Sequence, residues 1–137
     1  MTRIMACYIK ENMIYGIGVD LVKIARIQKA MESWGERFQR KVFTEKERSL
    51  CLSKPRPNRY WAMRFAAKEA FSKAIGLGMR QGICWKDIEV TSNPLGKPEL
   101  VLYGRAKEIC SETGIKNVFL TLSDEDGYAI AVVVLEK

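Results

Sequence analysis

Between Met63 and Gly78 the chain carries one pattern that decides most of what it can fold into. Met63, Ala66, Ala67, Ala70, Phe71 and Ala74 follow one another at spacings of three, one, three, one and three. That is the period of an amphipathic helix. Four of the six are alanine, so the stripe lets another backbone come close. Arg64, Lys68, Glu69, Ser72 and Lys73 fall beside it, on a second, charged side. Glu69 and Lys73 stand four apart and are therefore surface neighbours. A carboxylate between lysines suits a bound metal with phosphates nearby. On periodicity alone, the commoner meaning of such a pattern is an ordinary amphipathic helix with a solvated ion pair. Gly76 and Gly78 end the helix.

Tyr15-Gly16-Ile17-Gly18-Val19-Asp20-Leu21 reads as a short buried strand ending in an aspartate. No third glycine and no long βαβ context follow, so a dinucleotide fingerprint is not supported. The glycines also have a plain structural meaning, which is close packing of another element. An Asp at a strand end and a Glu on a helix make a two-carboxylate oxygen site. Magnesium is commonly held that way, by one or two carboxylates with waters and phosphate oxygens.

Composition narrows the chemistry. There is no histidine among the 137 residues, which excludes Ser-His-Asp and Cys-His catalysis and histidine-ligated metals in this chain. Cys7, Cys51, Cys84 and Cys110 are scattered without a CxxC; they read as reduced thiols of a cytoplasmic protein. No segment approaches the roughly 20 apolar residues of a membrane helix. The net charge of +7 is uneven: residues 23 to 73 hold fourteen Lys/Arg against five Glu, and residues 74 to 137 seven against nine Asp/Glu. Such a basic half attracts polyanions. Nucleic acid, an acidic protein and a polyphosphate cofactor all fit that field, but no RNP motif, zinc finger or recognition helix is visible. A non-catalytic basic module is the alternative to an enzyme.

The rest of the chain reads as one α+β domain over 13–137 with a mainly antiparallel sheet. Met13 to Val19 is the first strand. Ile24, Ile27, Met31 and Trp34 mark a helix stopping near Gly35. Thr44 and Glu47 have capping-box spacing for a short helix through Leu52. Pro55 and Pro57 break it, and Asn58 is the expected cap of the long helix. Asp87 to Thr91 and Glu99 to Leu102 are strands around an Asn93-Pro94-Leu95-Gly96 turn. A helix around Ala106, Ile109 and Cys110 closes at Gly114. Val118 to Ser123 and Tyr128 to Leu135 form a last hairpin. The final strand is apolar on both faces, which calls for cover by helices or another subunit.

GIGVDLVKIARI, then RFAAKEAFSKAIG, then WKDIEV with NPLGKP, in this order and separation, closely resembles the holo-acyl-carrier-protein synthases, the small bacterial 4′-phosphopantetheinyl transferases. The resemblance runs from about Met13 to Glu136. Residues 1–12 fall outside it, as an extension from an upstream start or a tag. It implies an α+β fold assembled as a homotrimer with sites at subunit interfaces. It also implies magnesium-dependent transfer of 4′-phosphopantetheine from coenzyme A to a serine of apo acyl carrier protein, releasing adenosine 3′,5′-bisphosphate.

Carried onto this sequence, the resemblance makes Asp20 and Glu69 the metal ligands and Lys73 the group that stabilises the leaving phosphate. Arg64 and Lys68 become phosphate contacts on the same edge. Gly76 lets the cofactor approach the backbone, and Gly96, Lys97 and Pro98 form a loop against the nucleotide. By spacing alone, that loop is a plain hairpin turn. Arg26 leads the docking face for the acidic carrier protein, extended by Arg37, Arg40, Lys41 and Arg48. Nucleic acid and membrane are not expected partners. The serine's proton goes to a metal-bound water or a carboxylate. The pattern departs from the family at two places. Leu77 stands where a small hydroxyl residue usually lies between the glycines. Asp124-Glu125-Asp126 follow Leu122-Ser123, where a histidine near the nucleotide is common. Those acids face a phosphate-rich ligand unless they point away or pair with basic residues.

Overall fold

The computed structural model describes residues 13–137; the expected extension, residues 1–12, lies outside the described residues. The element order is β1 (Ile14–Lys23), α1 (Ile24–Trp34), α2 (Glu36–Val42), α3 (Glu45–Leu52), α4 (Asn58–Ile75), a one-turn 3-10 helix (Trp85–Asp87), β2 (Ile88–Ser92), β3 (Pro98–Leu102), α5 (Gly104–Thr113), β4 (Asn117–Glu125) and β5 (Tyr128–Glu136). β1, β5 and β4 form one antiparallel sheet in that order, and β2 and β3 a separate two-stranded sheet. The α+β expectation holds. No helix among the described residues is long and apolar enough to cross a membrane.

α4 is the central element. Its apolar stripe lies against the first sheet, where Ala129, Ala131, Val133 and Leu135 of β5 are fully buried. Ala129 and Ala131 are small enough to let the helix sit close. Gly76 takes the left-handed conformation (φ 85°) and caps α4 through its N–H to the carbonyls of Ser72 and Lys73, a conformation that costs glycine little. The Thr44 cap behaves as expected: its hydroxyl accepts from the Glu47 N–H and the Glu47 carboxylate accepts from the Thr44 N–H.

Three local expectations differ from the fold. Asn58 is not the cap of α4 but its first residue; Pro57 holds the cap position without a side-chain bond, since proline is tolerated where the N–H has no helical partner. β1 runs on to Lys23, so Asp20 lies within the strand, opposite Ala131. α2 was not foreseen; it packs Phe38 on Phe43 and Phe65, with ring centroids 6.0 and 6.3 Å apart.

Among the described residues, the outer face of the first sheet is apolar and uncovered. Ile17, Val19 and Leu21 are 62, 50 and 61 % exposed, and Phe119 of β4 is 48 % exposed. Ile17, Val19 and Leu21 pair with Val134, Val132 and Ile130, the half-buried outer residues of β5.

Candidate active site

β1 and α4 meet backbone to backbone. A Cβ on Gly16 would stand 2.0 Å from the Ala74 carbonyl oxygen, and one on Gly18 would stand 1.9 Å from that of Ala70. Only hydrogen in place of a side chain allows this approach. Asp20 follows Gly18 by two residues and so shares its inward face. On α4, Glu69 and Lys73 immediately precede Ala70 and Ala74. The same contact that seats the strand therefore delivers Asp20 to the Glu69–Lys73 edge.

Lys73 Nζ donates to Asp20 Oδ1 at 3.0 Å and to the Val19 carbonyl oxygen at 3.1 Å. The Asp20 side chain is only 13 % exposed, against 53 % for Lys73. Its second oxygen, Oδ2, is buried without a hydrogen-bond partner among the described residues. The Glu69 carboxyl is held above its ordinary pKa, first by burial and then by the Asp20 charge, against the opposing pull of Lys73 and Arg26. These causes put Asp20, Glu69, Lys73 and Arg26 in one electrostatic neighbourhood. A buried carboxylate oxygen without a partner, beside a second carboxylate that resists ionising, makes a site short of positive charge. Two hard oxygen donors fit Mg²⁺, which keeps several waters and takes phosphate oxygens. Among the described residues no third Asp, Glu, His or Cys side chain joins a cluster able to hold a metal, and Mg²⁺ does not require one.

Lys68 does not lie on this edge. It is fully buried, and its ammonium donates to Glu47 Oε1 at 2.7 Å, to the Trp85 carbonyl at 3.0 Å and to the Ile88 carbonyl. All three of its hydrogens are thereby spent, so in this fold it offers none to a phosphate. Burial lowers its pKa, and the Glu47 carboxylate opposes that shift. Arg64 is also withdrawn from the edge, at 5 % exposure, with Nη1 donating to the Tyr60 carbonyl at 3.3 Å. α4 is packed on more sides than its apolar stripe, which is why two charges expected at its surface are inside. In the sequence, Glu47, the partner of Lys68, shows only as a capping residue. Its second oxygen accepts from the Val90 N–H at 2.9 Å. A lysine set among alanines at core spacing was the available signal for a buried pair.

Gly96, Lys97 and Pro98 lie at the β2–β3 turn, on the other sheet from Asp20. Asn93 Oδ1 accepts from the Leu95 and Lys97 N–H groups at 2.9 Å each, so the turn is built by its own asparagine. Gly76 is exposed at the end of α4. Asp124 pairs with Arg59 at 3.0 Å, which neutralises the first of the three acids in the last hairpin. Arg26, Arg37, Arg40 and Lys41 are exposed on α1 and α2, while Arg48 of α3 is half-buried. Trp34, Arg37, Phe38 and Lys41 line a concavity of about 340 Å³, an apolar floor with a basic rim. Arg40 also pairs with Glu36 at 3.5 Å.

Known proteins bear on this arrangement. The 4′-phosphopantetheinyl transferase superfamily profile matches residues 16–133. A holo-acyl-carrier-protein synthase of Geobacter sp. strain M21 is 49 % identical over 125 residues, covering 91 % of this chain and all of that protein. The crystal structure of the Neisseria meningitidis holo-acyl-carrier-protein synthase superposes with a TM-score of 0.85 at 41 % identity, over 91 % of this chain and 100 % of that one. The Helicobacter pylori enzyme, crystallised in complex with coenzyme A, gives 0.77 at 34 % identity, over 87 % of this chain and 98 % of its own. The chain therefore belongs to the 4′-phosphopantetheinyl transferase superfamily and, within it, to the holo-acyl-carrier-protein synthases.

Proposed function

We propose that this chain transfers the 4′-phosphopantetheine group of coenzyme A to a serine of apo acyl carrier protein, with Mg²⁺ held between Asp20 and Glu69. The observation that carries the reading is that Lys73, one helical turn after Glu69, bonds Asp20, 49 residues before Glu69 in sequence, with the Asp20 charge acting on Glu69 and one Asp20 oxygen buried and without a partner among the described residues. Family membership supplies the reaction.

In that transfer the serine oxygen bonds to the pantetheine-side phosphorus, and the bond from that phosphorus to the bridging oxygen breaks. Adenosine 3′,5′-bisphosphate leaves. The barrier is negative charge on the phosphoryl group attacked and on the phosphate departing, so positioning and neutralisation dominate catalysis. Lys73 is half-exposed, held by Asp20 on one side and free to turn to a ligand on the other; it neutralises the leaving phosphate and is placed to protonate it. Asp20 and Glu69 would hold the magnesium, which when bound supplies positive charge to the pyrophosphate oxygens. With no histidine in the chain, the serine proton passes to a carboxylate or to solvent. Gly76, Lys97, Gly96 and Pro98 are assigned to the cofactor, with the turn at its nucleotide end.

Arg26 stands close enough to Glu69 to lower its pKa, so a carrier docked on α1 brings its serine toward the metal pair. Arg37 and Lys41, rimming the Trp34–Phe38 concavity, extend that face, and Arg40 and Arg48 border it. The apolar outer face of the first sheet, where Ile17, Val19, Leu21 and Phe119 are exposed, supports a homotrimer closed over β1, β5 and β4. Residues 13–137 form the catalytic unit, and its place is the cytoplasm, where coenzyme A and carrier protein meet. The test is to mix the protein with coenzyme A, Mg²⁺ and apo carrier and to weigh the carrier. A gain of one phosphopantetheine arm is expected. No gain, with salt-sensitive nucleic-acid binding instead, refutes the reading.

A further inference from the structure

Glu69 lies between two very different anchors on α4. The residue after it, Ala70, packs its backbone on Gly18 of β1. The residue before it, Lys68, is tied into the protein interior by Glu47 of α3 and the carbonyls of Trp85 and Ile88. Glu47 is in turn bound by the N–H groups of Thr44 and Val90. Glu89, next to Val90, accepts from the hydroxyls of Thr44 at 2.6 Å and Tyr103 at 3.1 Å. The network therefore pins α4 to α3, to the 3-10 turn at Trp85 and to β2 of the second sheet. The alanine contacts with β1 set how close the helix comes to the strand rather than how it is rotated, and the only directional bonds α4 makes to β1 among those described run through the half-exposed Lys73. A buried ammonium with three acceptors supplies a buried directional contact. Adjacent residues on a helix are separated by about 100° of rotation, so fixing Lys68 fixes where the Glu69 carboxylate points.

We infer that Lys68 and Glu47 are positioning residues for the metal pair: their buried ion pair sets the rotation of α4 at which Glu69 meets Asp20. This rests on the metal reading above. The pair touches neither substrate nor metal and acts only through the backbone of α4.

Lys68→Met alone leaves the Glu47 charge buried without its partner and is expected to unfold easily. The informative variant is Lys68→Met with Glu47→Gln, which removes both charges and keeps an acceptor for Val90. Two quantities are read on that protein after circular dichroism shows it folded: the Mg²⁺ concentration that half-saturates the thermal shift caused by the metal alone, and the separate KM values for coenzyme A and carrier. The expected result is a half-saturating Mg²⁺ concentration about tenfold higher, with the carrier KM unchanged. Lys68→Arg, which keeps a buried charge and N–H donors, is expected to retain part of the Mg²⁺ response. A folded double variant with the parent's Mg²⁺ response overturns the proposal, because a merely structural pair leaves the metal affinity intact once the fold survives. Glu69→Gln separates the two readings. If that variant shows the parent's Mg²⁺ shift, the metal assignment fails and the positioning role with it. If it loses the shift while the double variant keeps it, only the positioning role fails.

Discussion

Replacing Gly18 by alanine puts the packing argument at risk in a single atom. The new Cβ would sit 1.9 Å from the Ala70 carbonyl oxygen and 2.7 Å from the Ala74 nitrogen. Moving the first contact out to the 3.4 Å of ordinary packing parts strand and helix by about 1.5 Å. Both obstacles are backbone inside a helix, so neither can swing aside as a side chain does. Overpacking of this kind costs about 1–3 kcal/mol, and an immovable obstacle points to the upper end. For a domain of this size each kcal/mol lowers Tm by roughly 4 °C, so a loss of about 12 °C is expected in differential scanning calorimetry. Asp20 lies two residues further along the displaced strand. A misplacement of about 1 Å at a reacting centre can cost on the order of a hundredfold in rate, so phosphopantetheine transfer, measured well below the lowered Tm, is expected to fall by about that factor. A variant within about 2 °C of the parent and within twofold of its kcat refutes the claim that this contact sets the site.

Glu69→Gln is expected to abolish Mg²⁺-dependent transfer in a folded protein. The Glu69 pKa is raised in the fold, so the stability it lends the metal-free protein is complete below its unfolded pKa and is lost as pH rises through the folded one. At neutral pH without metal the Gln variant should melt no lower than the parent, and Mg²⁺ should raise the Tm of the parent alone; equal Mg²⁺ shifts contradict this. Arg26→Glu is expected to raise the carrier KM about tenfold or more and leave the coenzyme A KM unchanged, and an effect confined to coenzyme A rules out α1 as the docking face. Val19→Asp, on the outer face of the first sheet, is expected to give monomers in analytical ultracentrifugation with transfer largely lost; an active trimer excludes that sheet as the interface.

Much of this is legible in the sequence. The 3.6-residue period of Met63–Ala74, the Thr44–Glu47 box and the turn residues located most elements within a few positions, because each signal is local. The pairing of Asp20 with Lys73 was within reach too, since GxG before Asp and alanines before and after Glu69 are complementary surfaces. What the sequence hid was environment. Lys68 and Lys73 look alike as letters five residues apart, yet one is fully buried and the other half-exposed. That difference is set by α3 and by the 3-10 turn at Trp85, which reach α4 from elsewhere in the chain. The Arg59–Asp124 pair was hidden for the same reason, spanning 65 residues. α2 escaped because its seven residues are too few to show a helical period.

If the proposed trimer closes over the face that carries Ile17, Val19, Leu21 and Phe119, the working form of the protein is a matter of concentration. Where copies meet over that sheet, mass action governs how many are assembled, and thinning the solution releases a growing share as singles. Output per molecule then declines on dilution, so a rate recorded with scant protein reports self-association as much as chemistry.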